Sequence, residues 1–258
     1  MKIGITGCRG RVGSLLVNEL LSGAHKGLKL AGGSALPAEV KAAGNPGFFI
    51  TADAEYLFEK ADAVIDFTVP AATRQHIALA AKYKKPLIIG TTGLTAADEK
   101  KIKDAAKKIP VIYTANYSVC VNMLEALVEK AAAVLDDDFD IEIVEAHHKH
   151  KIDAPSGTAL MLGRAAAKAR KIDFGKNAVL SREGITGARK DGQIGFSTLR
   201  GGDAAGEHTV YFLGDGERLE LKQQATNRAL YARGALRAAR WVNGKKPGLY
   251  SMRDVLGL

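Results

Sequence analysis

The chain has 258 residues, 47% of them hydrophobic, with six histidines, two cysteines and a formal charge of +9. That length carries one large domain or two smaller ones. The two cysteines, Cys8 and Cys120, lie far apart, which excludes a disulfide framework and a structural zinc site built on C-x-x-C spacing. No stretch approaches the ~20 apolar residues of a membrane helix, and MKIGITG at the start lacks the long apolar segment and cleavage site of a signal peptide. A soluble, cytoplasmic protein is expected, with no membrane partner. The positive charge suits either nucleic acid or small anions drawn into a cleft. Lysines and arginines are scattered, as in KKIKDAAKK (100–108), and the few aromatics are not interleaved with them. That pattern argues against nucleic acid and for a small anionic ligand.

In chain order, KIGIT (2–6) reads as a strand and GRVGSLLVNELLSG (10–23) as a helix ending in Gly23. LKLAGG (28–33) is a second strand and ADAVIDF (61–67) a buried one. PAATRQHIALAAKY (70–83) is helical with Pro70 at its start, PLIIG (86–90) is a strand, TAADEKKIKDAAKK (95–108) a Thr-capped helix and PVIYT (110–114) a strand. Strand and helix at this rhythm make parallel βαβ units. The pattern then changes. SVCVNMLEALVEKAAAVL (118–135) is a long helix and FDIEIVEAHH (139–148) a half-exposed strand. GQIGFSTLR (192–200), EHTVYFLG (207–214) and ERLELKQQA (217–225) read as strands of an antiparallel or mixed sheet, and NRALYARGALRAARWV (227–242) returns to helix. The expected fold is α/β: a Rossmann-like doubly wound parallel sheet over 1–117 and 228–258, and a second α+β domain with an open mixed sheet over 118–227.

GITGCRGRVG (4–13) joins the first strand to the first helix, with glycines at 7, 10 and 13. Gly7 permits the tight turn, Gly10 the approach of a phosphate, and Gly13 close packing of helix on strand. The amides and dipole at the helix start then hold a pyrophosphate. The alternative is a tight turn without a ligand. A ribose-binding acid is expected about 20 residues on, but Gly33, Ser34 and Ala35 occupy the end of the second strand. With Arg9 and Arg11 in the turn, this favours NADPH, or use of both NADPH and NADH. Thr68 in FTVP and Thr91 and Thr92 in GTTG end further strands, where small hydroxyls can bond a nicotinamide or its ribose, or simply cap helices.

The stretch EAHHKHKIDAPSGTA (145–159) holds His147, His148 and His150 within four positions, among Lys149 and Lys151. A metal site is one reading, but ammonium groups would crowd the cation and no H-E-x-x-H helix supports it. Surface histidines at a strand end are another. Acid–base chemistry explains more: histidine titrates near neutrality, lysine adds an acid and an anion anchor, and Ser156-Gly157-Thr158 starts a helix whose amides bind a carboxylate. On an extended strand His147 and Lys151 stand about 13 Å apart, so the chain must bend between them.

EAHHKHKIDAPSGTA, with GCRGRVG, IDFTVP, IGTTG, ANYSVCVN, SREG (181–184), GEHTV (206–210) and MRDVL (252–256) in order, resembles the dihydrodipicolinate reductase family over essentially the whole chain. The resemblance implies hydride transfer from NADH or NADPH to a cyclic dicarboxylate in lysine and diaminopimelate biosynthesis, by a homotetramer; no metal is expected from the residues themselves. It implies that His147 is the acid/base and Lys151 the proton donor, and that His148, Ser156, Gly157 and Thr158 contact the substrate. It lays the cofactor along Gly7, Cys8, Arg9, Gly10, Arg11 and Val12, along Gly90, Thr91 and Thr92, and along Thr114, Ala115, Asn116 and Tyr117, with Phe67 and Thr68 beside them. The chain departs from the family pattern in lacking the acid after the second strand, in Cys120 where glycine is usual, and in Tyr117 where phenylalanine is commoner. Cys120 is expected to fill space, and the Tyr117 hydroxyl to lie near the nicotinamide. Competing functions are another nicotinamide-dependent dehydrogenase, or a non-enzymatic protein that senses nucleotide or binds nucleic acid.

Overall fold

The computed structural model describes residues Met1–Leu258, which form two units: Met1–Val119 with Ala229–Leu258, and Cys120–Arg228. The first is built on seven strands. β1 (Lys2–Thr6), β2 (Lys29–Ser34), β3 (Ile50–Thr51), β4 (Ala63–Asp66), β5 (Leu87–Ile89), β6 (Pro110–Tyr113) and β12 (Gly248–Tyr250) run parallel in the order β12-β6-β5-β4-β1-β2-β3. The central strands are short runs of Ile, Val, Leu and Ala, with Asp66 closing β4, buried from end to end as a sheet covered on both faces requires.

Alternation along each strand sorts these side chains to two cores. Ile3, Ile5, Ile65, Ile88 and Ile112 pack with Leu16, Val17 and Leu20 of α1 (Arg11–Leu21), with the alanines of α9 (Ala229–Trp241), and with Met252 and Val255 of α10 (Met252–Leu256). Val64, Leu87, Ile89 and Val111 pack with Phe58 of α3 (Ala54–Lys60), Ile77 and Ala80 of α4 (Pro70–Tyr83), and Ile102 and Ala105 of α5 (Ala96–Ala106). The doubly wound sheet expected from the rhythm is present, and the last helix joins it. Absent from the sequence reading were α2 (Pro37–Ala42), β3, α3, β12 and α10. Each is too short to show a periodicity; α3, for example, is specified by the Asp53 carboxylate accepting from Glu55 N–H and Tyr56 N–H.

The second unit has a five-stranded sheet in the order β11-β10-β7-β9-β8. The strands are β7 (Asp140–His147), β8 (Ala178–Val179), β9 (Ile194–Arg200), β10 (Glu207–Leu213) and β11 (Arg218–Gln224). The sheet is mixed: β7 is antiparallel to β10 and parallel to β9, so it separates two strands that follow one another in sequence. Ile141 and Ile143 of β7, Phe196 of β9, and Val210 and Phe212 of β10 face α6 (Val119–Val134) and α7 (Gly157–Ala169). The short α8 (Phe174–Asn177) leads into β8. The opposite face presents Val144, Leu199, Tyr211 and Leu213 among charged residues, with Leu199 exposed. No helix of either unit is long and apolar enough to cross a membrane.

Candidate active site

A cavity of about 760 Å³ runs along the carboxyl ends of β1, β2, β4, β5 and β6, the edge where open parallel sheets take their ligands. Gly7, Gly10, Arg11 and Val12 line it after β1, Ser34 to Pro37 after β2, Phe67 to Val69 after β4, Gly90 to Thr92 after β5, and Ala115 to Tyr117 after β6. The glycine turn has the physics its spacing implies. Gly7 sits at φ +67°, in the left-handed region, and accepts a hydrogen bond from Gly10 N–H. A Cβ on Gly13 would collide with the carbonyl of Gly7 and with Cys8 Cα, so only glycine lets α1 lie this close to β1. No side chain caps α1. The amides of its first turn therefore have no side-chain or intrahelical acceptor, and with the positive end of the helix dipole they are available to an anion. These residues fit a dinucleotide.

Three of the residues expected along a cofactor are not in the lining of this cavity. Cys8 is buried against Gly33, and burial pushes its thiol up to about 11. Arg9 is exposed outside the cavity, which leaves Arg11 as the arginine in its wall, and Thr114 is absent from the lining. The threonines also divide their work. Thr92 is exposed in the cavity wall, but Thr91 is buried and its hydroxyl accepts from Thr68 N–H at 3.0 Å and Thr73 Oγ1 at 2.9 Å. Thr68 in turn donates to Asp66 Oδ1 at 2.6 Å, as does Thr6 at 2.9 Å, and His76 Nδ1 stands 3.2 Å from Asp66 Oδ2. Burial alone would raise the Asp66 carboxyl; His76 and the threonine hydroxyls outweigh it and hold it below its usual range. Thr68 and Thr91 thus tie two strand ends together beneath the cavity.

The Tyr117 hydroxyl behaves similarly. It is buried and donates to Ile89 O at 2.9 Å and Ile112 O at 3.2 Å, bridging the ends of β5 and β6. Glu39 was not foreseen. It lines the cavity just beyond Ser34, with Oε2 accepting from Leu36 N–H at 3.0 Å. It sits on the short α2, past the strand end where the dinucleotide pattern places its acid.

The second unit gathers the histidine stretch at the end of β7. The strand stops at His147, and a turn closed by Lys151 N–H on His148 O at 3.1 Å reverses the chain, so the extended separation of His147 and Lys151 does not apply. Lys151 Nζ is 2.8 Å from Asp153 Oδ1. His148 Nε2 lies 3.2 Å from Arg228; loss of hydration, then the nearby Arg228 charge, lowers its titration. Ser156 Oγ accepts from Ala159 N–H, caps α7 and lies 3.1 Å from His208 Nε2. At 2% exposed, the Ser156 hydroxyl holds the helix start in place, while Gly157 at the first position of α7 is open. At Cys120 φ is not positive, so the backbone takes a cysteine without strain, but the thiol is exposed rather than filling space in the chain.

Register adds residues that the linear sequence conceals. Glu145 and His147 share the inward face of β7, opposite Thr198 and Arg200 of β9, and His208 of β10 lies opposite Glu145. His147 Nδ1–H donates to Glu145 Oε2 at 2.5 Å, and Arg200 grips the same carboxylate through two nitrogens at 2.8 and 2.7 Å. Ser156 N–H completes the set on Oε1 at 3.0 Å. Burial opposes ionisation of Glu145, but Arg200, His147 and Ser156 together hold its carboxyl below the usual range. Burial, and then the proximity of His147, push His208 down to about 4, so it is neutral near pH 7. No group of three or more His, Cys, Asp or Glu side chains is arranged around a metal position. The arrangement can present an imidazole Nε2 and an ammonium to a small anion held at the amino end of a helix.

Residues 1–117 match the family model described as dihydrodipicolinate reductase, N-terminus, and residues 120–256 that described as dihydrodipicolinate reductase, C-terminus. The 4-hydroxy-tetrahydrodipicolinate reductase of Magnetococcus marinus is 48% identical over all of this chain and 98% of its own; that of Bradyrhizobium diazoefficiens is 49% identical over the same shares. Among solved structures, the dipicolinate-bound dihydrodipicolinate reductase of Paenisporosarcina sp. TG-14 shares the fold at a TM-score of 0.79 and 24% identity, over 97% of each chain. A probable dehydrogenase of Thermotoga maritima shares it at 0.62 and 15%, over 99% of this chain and 92% of its own. On both halves of its length, the chain belongs to the dihydrodipicolinate reductase family.

Proposed function

We propose that the chain reduces 4-hydroxy-tetrahydrodipicolinate to tetrahydrodipicolinate in lysine and diaminopimelate biosynthesis. Substrate, NAD(P)H and a proton give tetrahydrodipicolinate, NAD(P)⁺ and water. The observation that carries the reading is the joining of His147, Lys151 and the amino end of α7 by one turn and one buried carboxylate. The nicotinamide supplies the hydride. The protein does the rest. Gly157 and Thr158, at the start of α7, take a substrate carboxylate on backbone amides, with His148 beside them. Lys151 and His147 Nε2 face the ring and deliver the proton that accompanies the hydride. Ser156 acts through the helix cap.

The first turn of α1 holds the cofactor's pyrophosphate, and Gly90–Thr92 and Ala115–Tyr117 hold its nicotinamide end. Arg11 suits a 2′-phosphate, which favours NADPH, while Glu39 in the same wall suits a free ribose hydroxyl, so both cofactors serve. The chain works in the cytoplasm, which suits two unpaired cysteines. It assembles as a homotetramer through the sheet face that bears Leu199 and Tyr211.

The test is oxidation of NADPH and NADH, followed by absorbance, with substrate made in situ from pyruvate and aspartate semialdehyde by the preceding synthase. Substrate-dependent oxidation that collapses in His147→Gln is expected. No oxidation with either cofactor, from folded protein and fresh substrate, would return the chain to a nucleotide-binding role without catalysis.

A further inference from the structure

Glu145 is buried, at 1% exposed. Its two oxygens are shared among His147 Nδ1–H, both terminal nitrogens of Arg200, Ser156 N–H and, at 3.4 Å, Thr198 Oγ1. One carboxylate therefore holds the acid and the start of the anion-binding helix at once. Arg200 is itself fixed by donating to Asp153 O at 2.7 Å, in the loop that carries the partner of Lys151. We propose that Glu145 and Arg200 are positioning residues for proton delivery: Glu145 fixes the tautomer of His147 and draws a proton to it, and Arg200 offsets that pull so that the proton can leave.

The electrostatics follow from the contacts. With Nδ1–H committed to Glu145, only Nε2 remains to give up a proton. A lone buried carboxylate at 2.5 Å would hold the imidazole in its charged form and make it a poor acid. The bidentate guanidinium on the same carboxylate makes the support neutral overall. In turnover the Nε2–H bond breaks, the substrate ring gains the proton, and neutral imidazole stays bound through Nδ1–H. The other titratable groups about His147 are its neighbour His148 and, with its ring centroid 5.2 Å away, His208 on β10; Lys151, paired with Asp153, is close enough to act on both of those rings. His208 is neutral in the working range, so the cations that compete are Lys151 and Arg200.

This inference rests on the roles given above to His147 and Lys151, and its signature is a pair of opposite shifts. Glu145→Gln keeps an acceptor but removes the negative charge. It is expected to move the pH-rate limb governed by His147 to lower pH by roughly one unit and to lower kcat on the order of 10²-fold. The substrate KM should rise as the start of α7 loosens. Arg200→Gln moves the same limb to higher pH, and Arg200→Lys restores most of the wild-type position. The second readout needs no activity: NMR titration of the His147 ring, assigned with His147→Gln, moves down in Glu145→Gln and up in Arg200→Gln. Shifts of the same sign in the two variants, or no shift in either, overturn the proposal. If Glu145→Gln does not fold, an upward shift in Arg200→Gln that Arg200→Lys reverses supports the proposal, and no shift, or one that Arg200→Lys does not reverse, overturns it. If the protein shows no reductase activity, opposite NMR shifts still support the support pair, and the failure belongs to the function.

Discussion

Replacing Gly13 by alanine tests the packing that creates the cofactor site. An added Cβ would collide with the carbonyl oxygen of Gly7 and come within 2.7 Å of Gly7 C and 2.9 Å of Cys8 Cα. Carbon atoms pack best at about 3.5–4.0 Å, so the methyl is short of room by roughly 0.8 Å on the backbone of the turn itself. Neither neighbour is a flexible side-chain end, and α1 must move away. Overpacking of this kind costs about 1–3 kcal/mol; an unyielding backbone obstacle puts Gly13→Ala near 3. In a chain of this size each kcal/mol is worth about 2–4 °C in Tm, so the melt should fall by ~6–12 °C. Moving the helix start also withdraws its amides from the pyrophosphate, which should weaken cofactor affinity by about 10- to 10²-fold, the worth of one hydrogen bond to a charged group. Gly10→Ala is the control. Its Cβ meets only Gly7 O, at 3.1 Å, so it should melt nearly normally and lose affinity alone. Differential scanning calorimetry and isothermal titration with NADPH read both quantities. A Gly13→Ala protein with an unchanged melt and unchanged affinity would refute the reasoning.

Tyr117→Phe removes a hydroxyl that bridges two strand-end carbonyls. It should cost about 1–2 kcal/mol in denaturant unfolding while leaving cofactor affinity unchanged. His208 is depressed from 6.5 to about 4 by burial first, so the unfolded chain binds the extra proton. Stability should therefore be complete above pH 6.5 and fall as pH drops toward 4, by on the order of 3 kcal/mol; His208→Gln should flatten that slope in urea titrations across the window. Arg11→Ala should weaken NADPH about tenfold and NADH little, and Glu39→Gln should do the reverse, each being worth roughly one charge-assisted hydrogen bond; equal losses for both cofactors would show that neither residue meets the adenosine ribose.

Long elements were legible because their periodicity is long enough to count. α4 runs over the same residues, 70–83, that its sequence pattern and Pro70 indicate. α5 begins at its Thr95 cap, and α9 joins the sheet of the first unit. What escaped was short or depended on register. α2 has six residues, and missing it hid Glu39. The partners of His147 are visible one at a time in the sequence, but only the pairing of β7 with β9 and β10 brings Arg200 and His208 to it from 53 and 61 positions away. The roles of hydroxyls were the hardest to read. Thr68, Thr91, Ser156 and Tyr117 were expected to meet ligand, yet each hydroxyl is engaged with the protein itself, because a buried O–H must find a partner and the nearest ones are strand ends and helix starts.

The order of the chain also bears on its synthesis. The second unit is complete once Arg228 has been made, but the first, begun earlier, is not. Until residues 229–258 emerge, nothing occupies the positions of Ala235, Leu236 and Met252 against Ile5, Leu16 and Ile88, and β6 lacks its outer partner β12. A ribosome-bound chain thus carries an uncovered apolar face and an open strand edge through the whole time its insert is being translated and folded. The half of the protein started first is the half that chaperones must shield longest.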